Sequence, residues 1–160
     1  MTFRWHLFIA LSTLIMISGC SSTPEPRLFD GNFTANDDIN PDHEGRPSPI
    51  IVKTYHLKGI TTFNEADFFS LYDEGKKYLG EDFIAIEEHV LQPGEDTDYI
   101  LSISPDATYL AVVAAYRDLE NAQWRATLEI PEEGFFDFMK SRVLQIKATD
   151  LEISIDFIKK

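Results

Sequence analysis

Three groups of residues in this sequence have types and spacings from which chemistry is built. Asp38, Asn40 and Asp42 stand at i, i+2 and i+4, the opening of a calcium loop. The sixth position of such a loop needs glycine and the twelfth glutamate, to turn the chain and close the ligand shell. Here they are His43 and Pro49, so a solvated loop rich in Asx residues is the better account, and no metal site is expected. The acid pairs Glu87-Glu88 and Glu132-Glu133 have the residue types for glycoside hydrolysis. Neighbours on a strand point to opposite faces, however, and a chain with 27 acids contains such pairs by chance. His6, His43, His56 and His89 have no zinc-ligand spacing, and neither a G-x-S-x-G element nor a phosphate-binding glycine loop is present. No catalytic residue is assigned, and the chain is not expected to be an enzyme.

The third group is Cys20, the only cysteine, together with what precedes it. Arg4 gives the first six residues a fixed positive charge. Leu7–Ile17 is apolar apart from Ser12 and Thr13, and the small pair Ser18-Gly19 leads directly into Cys20. This is the layout of a secretory signal. The run is too short for a transmembrane helix, which needs roughly 20 residues. Leu14-Ile15-Met16-Ile17-Ser18-Gly19-Cys20 also resembles the bacterial lipobox. A thiol there can be alkylated to a thioether bearing diacylglycerol. Cleavage before it frees an amine that can take a further acyl chain such as palmitate. One chain binds a bilayer only marginally, at about 0.8 kcal/mol per buried methylene, whereas two or three hold a domain almost permanently. The alternative is a secreted protein with a free thiol near its N-terminus. Residues 1–19 are therefore read as a lipoprotein signal peptide, and 20–26 as the lipidated cysteine and a tether that Pro24 and Pro26 keep extended. Residues 27–160 would form one domain, with no cofactor beyond the covalent lipid on Cys20.

With the signal removed, 141 residues remain, enough for one domain with a real core. No disulfide can form within it, so burial must supply the stability, and ten of the twelve Phe, all six Tyr and one of the two Trp remain to offer the area. Loss of Arg4 leaves 13 basic against 27 acidic residues, a balance of −14. That argues against nucleic acid as a partner, since phosphates need clustered Lys and Arg. It argues equally against a polybasic grip on anionic lipid.

Around these residues the chain reads as mainly β. Arg27–Ala35 alternates, with Phe29, Gly31, Phe33 and Ala35 expected inward. Asn36–Ser48 is turn-rich, and Pro49–Leu57 reads as a second strand. Asn64 is the predicted N-cap of a helix over Glu65–Asp73, with Asp67 as its reciprocal partner and Phe68, Phe69, Leu71 and Tyr72 facing the sheet. Gly75–Gly80 has room for a further helical turn. Further strands are predicted at Phe83–Leu91, Asp98–Ile103, Tyr109–Arg117, Trp124–Ile130, Val143–Ala148 and Leu151–Phe157, with Thr149-Asp150 as a tight hairpin between the last two. Phe135–Met139 is open between helix and loop. Trp124 is expected in the core, and Arg125 at the surface beside acids. Short strands with regular turns imply an antiparallel two-sheet β-sandwich with a short helical insertion.

Several segments together resemble one family. They are Asn40-Pro41-Asp42, Gly45 through Leu57, Phe63 through Asp73, Pro93-Gly94, Tyr116-Arg117-Asp118-Leu119 and Trp124-Arg125. In this order, from the lipobox to Arg125, they resemble the TssJ outer-membrane lipoproteins of the type VI secretion system. The resemblance implies a transthyretin-like sandwich with an added helical element and a role without catalysis. It implies a domain facing the periplasm, held in the outer membrane by its lipid. Ser21 after the lipidated cysteine is compatible with export there. It further implies tethering of the type VI membrane complex through the periplasmic part of TssM, an inner-membrane protein. In the family the loop between the first two strands is implicated in that contact. Its counterparts here are Asp37, Asp38, Asn40, Asp42, His43 and Glu44. The competing reading is a periplasm-facing lipoprotein that binds a small molecule or glycan, which needs an aromatic platform or an apolar pocket.

Overall fold

The computed structural model describes residues 25–131 and 142–159. In chain order its elements are β1 (Arg27–Ala35), β2 (Ile50–Leu57), α1 (Thr61–Glu65), α2 (Phe68–Leu79), a 3-10 turn (Gly80–Asp82), β3 (Phe83–Leu91), β4 (Asp96–Ile103), β5 (Tyr109–Ala114), β6 (Arg125–Glu129), β7 (Arg142–Ala148) and β8 (Ile153–Lys159). They build a sandwich of two four-stranded sheets, ordered β4-β1-β7-β8 and β3-β2-β5-β6. All pairings are antiparallel except β1 with β7, which run parallel with Gly31 beside Leu144. That pair joins strands more than a hundred residues apart, a partnership that local periodicity does not encode.

The alternation of β1 follows the sequence reading: Phe29, Gly31, Phe33 and Ala35 are buried, and Leu28 and Asp30 face solvent. Between the sheets, Phe29, Phe33, Leu101, Leu144 and Ile146 pack against Ile50, Val52, Leu110 and Val112. A second cluster lies on the outer side of the β3-β2-β5-β6 sheet. There Tyr55, Leu57, Ala111 and Val113 meet Phe63, Leu71 and Leu79 of the helical insertion. β2 and β5 are thus buried on both faces, which is why they read as nearly continuous apolar runs.

The helical insertion departs from expectation. Asn64 lies inside α1, and the cap of the main helix is Asp67, whose carboxylate accepts the Ser70 N–H at 3.0 Å and the Ser70 hydroxyl at 2.6 Å. Ala66 breaks the two helices apart with an extended ψ of 148°. Arg125, on β6, donates from Nη1 to the carbonyls of Phe63 and Ala66 at 3.1 and 2.8 Å, satisfying the end of α1 from across the chain. It is therefore not a surface partner for acids, and its guanidinium stacks over Trp124. Trp124 is half-buried rather than fully interior and touches both clusters. Leu71, Gly75 and Leu79 form the buried stripe of α2, which leaves Phe69 outside, 63% exposed. The helical region anticipated over Gly75–Gly80 continues α2, with a break of helical angles at Glu74. Just before this break Tyr55 Oη donates to Leu71 O at 2.6 Å and Lys53 Nζ to Tyr72 O at 2.8 Å.

Strand ends shift by a few residues. β5 stops at Ala114, and beyond it the Arg117 N–H donates to the Asn40 side chain rather than to a neighbouring strand. The β7–β8 connection takes four residues, closed by Thr149 N–H on Glu152 O at 2.8 Å, rather than a two-residue turn. Phe135–Met139 lies outside the described residues.

His56 sits on the inner face of β2, 2% exposed, with neither ring nitrogen hydrogen-bonded among the described residues. Burial lowers its pKa below 6.5, opposed in part by the Glu87 carboxylate 3.8 Å away. A histidine held neutral in this way contributes its full stability above about pH 6.5. That contribution is lost as pH falls from there toward the lower folded value, by up to about 1.4 kcal/mol per unit, because the unfolded chain binds the proton first. Urea midpoints are therefore expected to fall between pH 7.5 and 5.5, and His56→Leu should flatten that interval.

Candidate functional site

The loop between β1 and β2 occupies one end of the sandwich, together with the β3–β4 turn, the β5–β6 connection and the β7–β8 turn. Backbone bonds stitch these segments to one another. Ala35 N–H donates to Glu95 O at 2.8 Å, Gly94 N–H to Asn36 O at 3.1 Å, Asn36 N–H to Ala148 O at 3.0 Å and Asn40 N–H to Asp150 O at 3.0 Å. Gly94 has φ of +74°, and a Cβ there would meet the Asp37 carboxylate at 2.5 Å, so the close approach of turn and loop requires glycine.

The six residues singled out from the sequence separate into distinct roles. Asn40 is 4% exposed, with φ of 48°. Its amide donates to Pro49 O at 2.9 Å and accepts Arg117 N–H at 2.8 Å, so it locks the loop to the β5–β6 connection and is not available to a partner. Asp42 builds the tip. Its carboxylate accepts the backbone N–H groups of Glu44 (2.8 Å) and Arg46 (3.0 Å) and Arg46 Nε (2.8 Å), while its own backbone pairs with Arg46. The Arg46 N–H, then the Arg46 side chain, hold the Asp42 carboxyl below the ordinary carboxylate range. Asp37, Asp38, His43 and Glu44 are exposed. Glu44 reaches Arg46 Nη1 at 2.9 Å across the tip. The calcium spacing of Asp38, Asn40 and Asp42 thus ends in three unrelated tasks. Among the described residues no group of three His, Cys, Asp or Glu side chains is placed to hold a metal ion.

Arg117 is expected as the last residue of a strand and Asp118 lies just beyond it, and neither stands among the site residues expected from the sequence. Both line an open hollow of about 480 Å³ with Pro41, Asp42, His43 and Leu151. Tyr116 beneath them is buried, donates to Thr149 O at 3.2 Å and has its phenol pKa pushed up by burial and the nearby Asp150 and Glu152. The sequence did carry a signal for this segment: Tyr116-Arg117-Asp118 belongs to the series that suggested the family. The hollow is polar-rimmed and shallow, and suits contact with a protruding side chain better than enclosure of a small molecule.

Asn40→Ala would strand the Arg117 N–H and the Pro49 carbonyl and force a Cβ-bearing residue without a polar side chain into the left-handed region. A loss of about 2–4 kcal/mol is expected from these combined terms. Asn40→Gly keeps the backbone relaxed and should cost less. Urea denaturation of the two variants separates the strain from the hydrogen bonds.

The family of type VI secretion lipoproteins described as VasD, EvfM, TssJ and VC_A0113 matches residues 28–156. The chain belongs to this family. Among solved structures, the type VI lipoprotein TssJ1 from Pseudomonas aeruginosa is 30% identical with a TM-score of 0.75, over 84% of this chain and 98% of that one. Serratia marcescens Lip, a membrane-bound component of the type VI secretion system, is 26% identical with a TM-score of 0.70, over 82% and 97%. A chain in a structure of a type VI membrane complex is 23% identical with a TM-score of 0.67, over 81% and 98%, a likeness of fold. No curated protein matches by sequence. For this type VI secretion lipoprotein the mainly β sandwich is therefore shared with its relatives. No helix among the described residues is long and apolar enough to cross a membrane.

Proposed function

We propose that this lipoprotein anchors the type VI membrane complex to the outer membrane, through acyl chains on Cys20 and a contact between its β1–β2 loop and the periplasmic domain of TssM. The observation that carries the reading is the course of β1. The strand begins at Arg27, directly after the tether, and ends at Ala35, directly before the loop. At about 3.3 Å per residue it puts Arg27, where the tether joins the sandwich, and the loop at opposite ends, roughly 26 Å apart. An adaptor between a membrane and a partner needs that separation. The loop also suits a preformed contact. Its base is fixed by Asn40 and its tip by Asp42, so little ordering cost would be left for binding.

The test is a titration of the soluble domain, Ser22–Lys160, against the periplasmic domain of TssM from the same organism. Saturable binding at micromolar or tighter affinity is expected. Asp38→Lys, at an exposed site without a structural bond among those described above, should weaken it about tenfold, or ~1.4 kcal/mol, with the thermal midpoint unchanged. Equal loss of binding and stability would make Asp38 a structural residue. No binding between two folded domains would overturn the adaptor reading and bring a small-molecule or glycan ligand forward.

A further inference from the structure

The helical insertion covers the outer face of one sheet. Among the described residues no element covers the outer face of β4-β1-β7-β8, and its two halves differ. In the half toward the loop, Asn32 Nδ2 donates to Asp96 and Asp98 at 2.8 and 3.1 Å and Gln145 donates to Asn32 at 3.3 Å, a bonded polar surface. In the half toward the tether the polar residues give way. Ile100 lies opposite Asp30, Val143 opposite Ile158, and the Gly31–Leu144 pair aligns these couples into one row across four strands. Leu28, opposite Ser102, lies one pleat closer to the tether. Leu28 and Ile100 are each 70% exposed and Ile158 is 37% exposed. Clustered apolar side chains on an open sheet face mark a contact surface, whereas scattered ones do not.

We propose that the tether edge of this half-face rests on the phospholipid surface in which the acyl anchor sits, with the loop end of β1 tilted away from it, a proposal that rests on lipidation of Cys20. The chain between them limits the distance. Leu28 is eight steps along the chain from Cys20, so even a fully extended tether holds it within about 29 Å of the lipidated residue. Asp30 is the one acid in the apolar row, and it is engaged by other groups.

The experiment uses the mature lipidated protein in vesicles of phosphatidylethanolamine with a minor share of phosphatidylglycerol. In that protein the Cys20 sulfur is a thioether, so Ser102→Cys or Asp156→Cys supplies a single free thiol for a nitroxide label. Both positions are exposed, one in each half of the face. For vesicle-bound protein, the Ser102 label is expected to lose accessibility to aqueous nickel several-fold and gain accessibility to oxygen, while the Asp156 label stays aqueous. The combination Leu28→Ser with Ile100→Ser should abolish the difference without releasing the protein. If the protein floats with vesicles and both labels remain aqueous, docking is overturned and the anchor stands. If the protein does not float, the anchor reading fails and docking falls with it. If the Ser102 label is shielded but dipolar broadening brings two such labels together, the occupant is a second copy of the chain and docking on lipid is overturned.

Discussion

Gly75→Ala is expected to destabilise the domain by about 1–3 kcal/mol, although alanine is the better helix former by about 1 kcal/mol. The reason is a competition for one volume. A Cβ at position 75 would stand 2.5 Å from Tyr55 Oη and 2.9 Å from its Cε1. Tyr55 has nowhere to retreat: it is fully buried, flanked edge-on by Phe63 and Phe83, and tied by its hydroxyl to Leu71 O. Burial also raises its phenol pKa to about 12, so the hydroxyl stays a donor at any physiological pH. Tyr55→Phe removes the closest atom and alone should cost about 1 kcal/mol for the lost hydrogen bond. Combined with Gly75→Ala it should cost less than the sum of the two. A double-mutant cycle by urea denaturation reads this coupling. Additive losses would mean that α2 shifts outward freely and that the fit of helix to sheet is loose.

Cys20→Ser is expected to move the protein from the membrane fraction to the soluble one while leaving the thermal midpoint of the sandwich where it was. Every element of the described sandwich follows Cys20 in the chain, so the fold is expected to form without that side chain. What it would supply is membrane affinity. With about 0.8 kcal/mol per buried methylene, removing every acyl chain leaves no anchor, and the few apolar side chains of the open sheet face cannot replace it. Fractionation of cells producing each form, with the mass of the mature N-terminus measured in parallel, checks both halves of the expectation. A serine variant that stays in the membrane fraction, or a wild-type protein without added acyl mass, would remove lipidation from the account.

The comparison of sequence with structure divides along the range of the interactions involved. β1 was legible residue by residue, because one face of an alternating strand meets the core and the other meets water. The start of α2 was not. Asn64 and Asp67 are both good caps, but Asn64 falls inside a separate short helix, whose last carbonyls at Phe63 and Ala66 are taken by Arg125 from about sixty residues away. The parallel partnership of β1 with β7 was hidden for the same reason. In the loop, residue types announced polarity but not task. Only the folded chain distinguishes Asn40, turned inward onto Pro49 and Arg117, from Asp38, left in solvent. The hollow beside the tip is lined by Arg117, which leaves the strand expected to end with it, and by Asp118 just beyond.

The placement of β1 has a mechanical consequence. This strand lies inside its sheet, paired antiparallel with β4 from Arg27 to Thr34 and parallel with β7 from Gly31 to Ala35. If one end is fixed to a bilayer and the loop at the other is pulled by a partner, the tension runs along the strand axis. The ladder bonds on both flanks lie across that axis. They are then strained in shear and must give way together, whereas a strand peeled from a sheet edge sideways loses them one at a time. A pull along this line meets the stiffest direction that the sandwich offers. Rupture should therefore begin at the lipid anchor or the partner contact before the domain itself unravels.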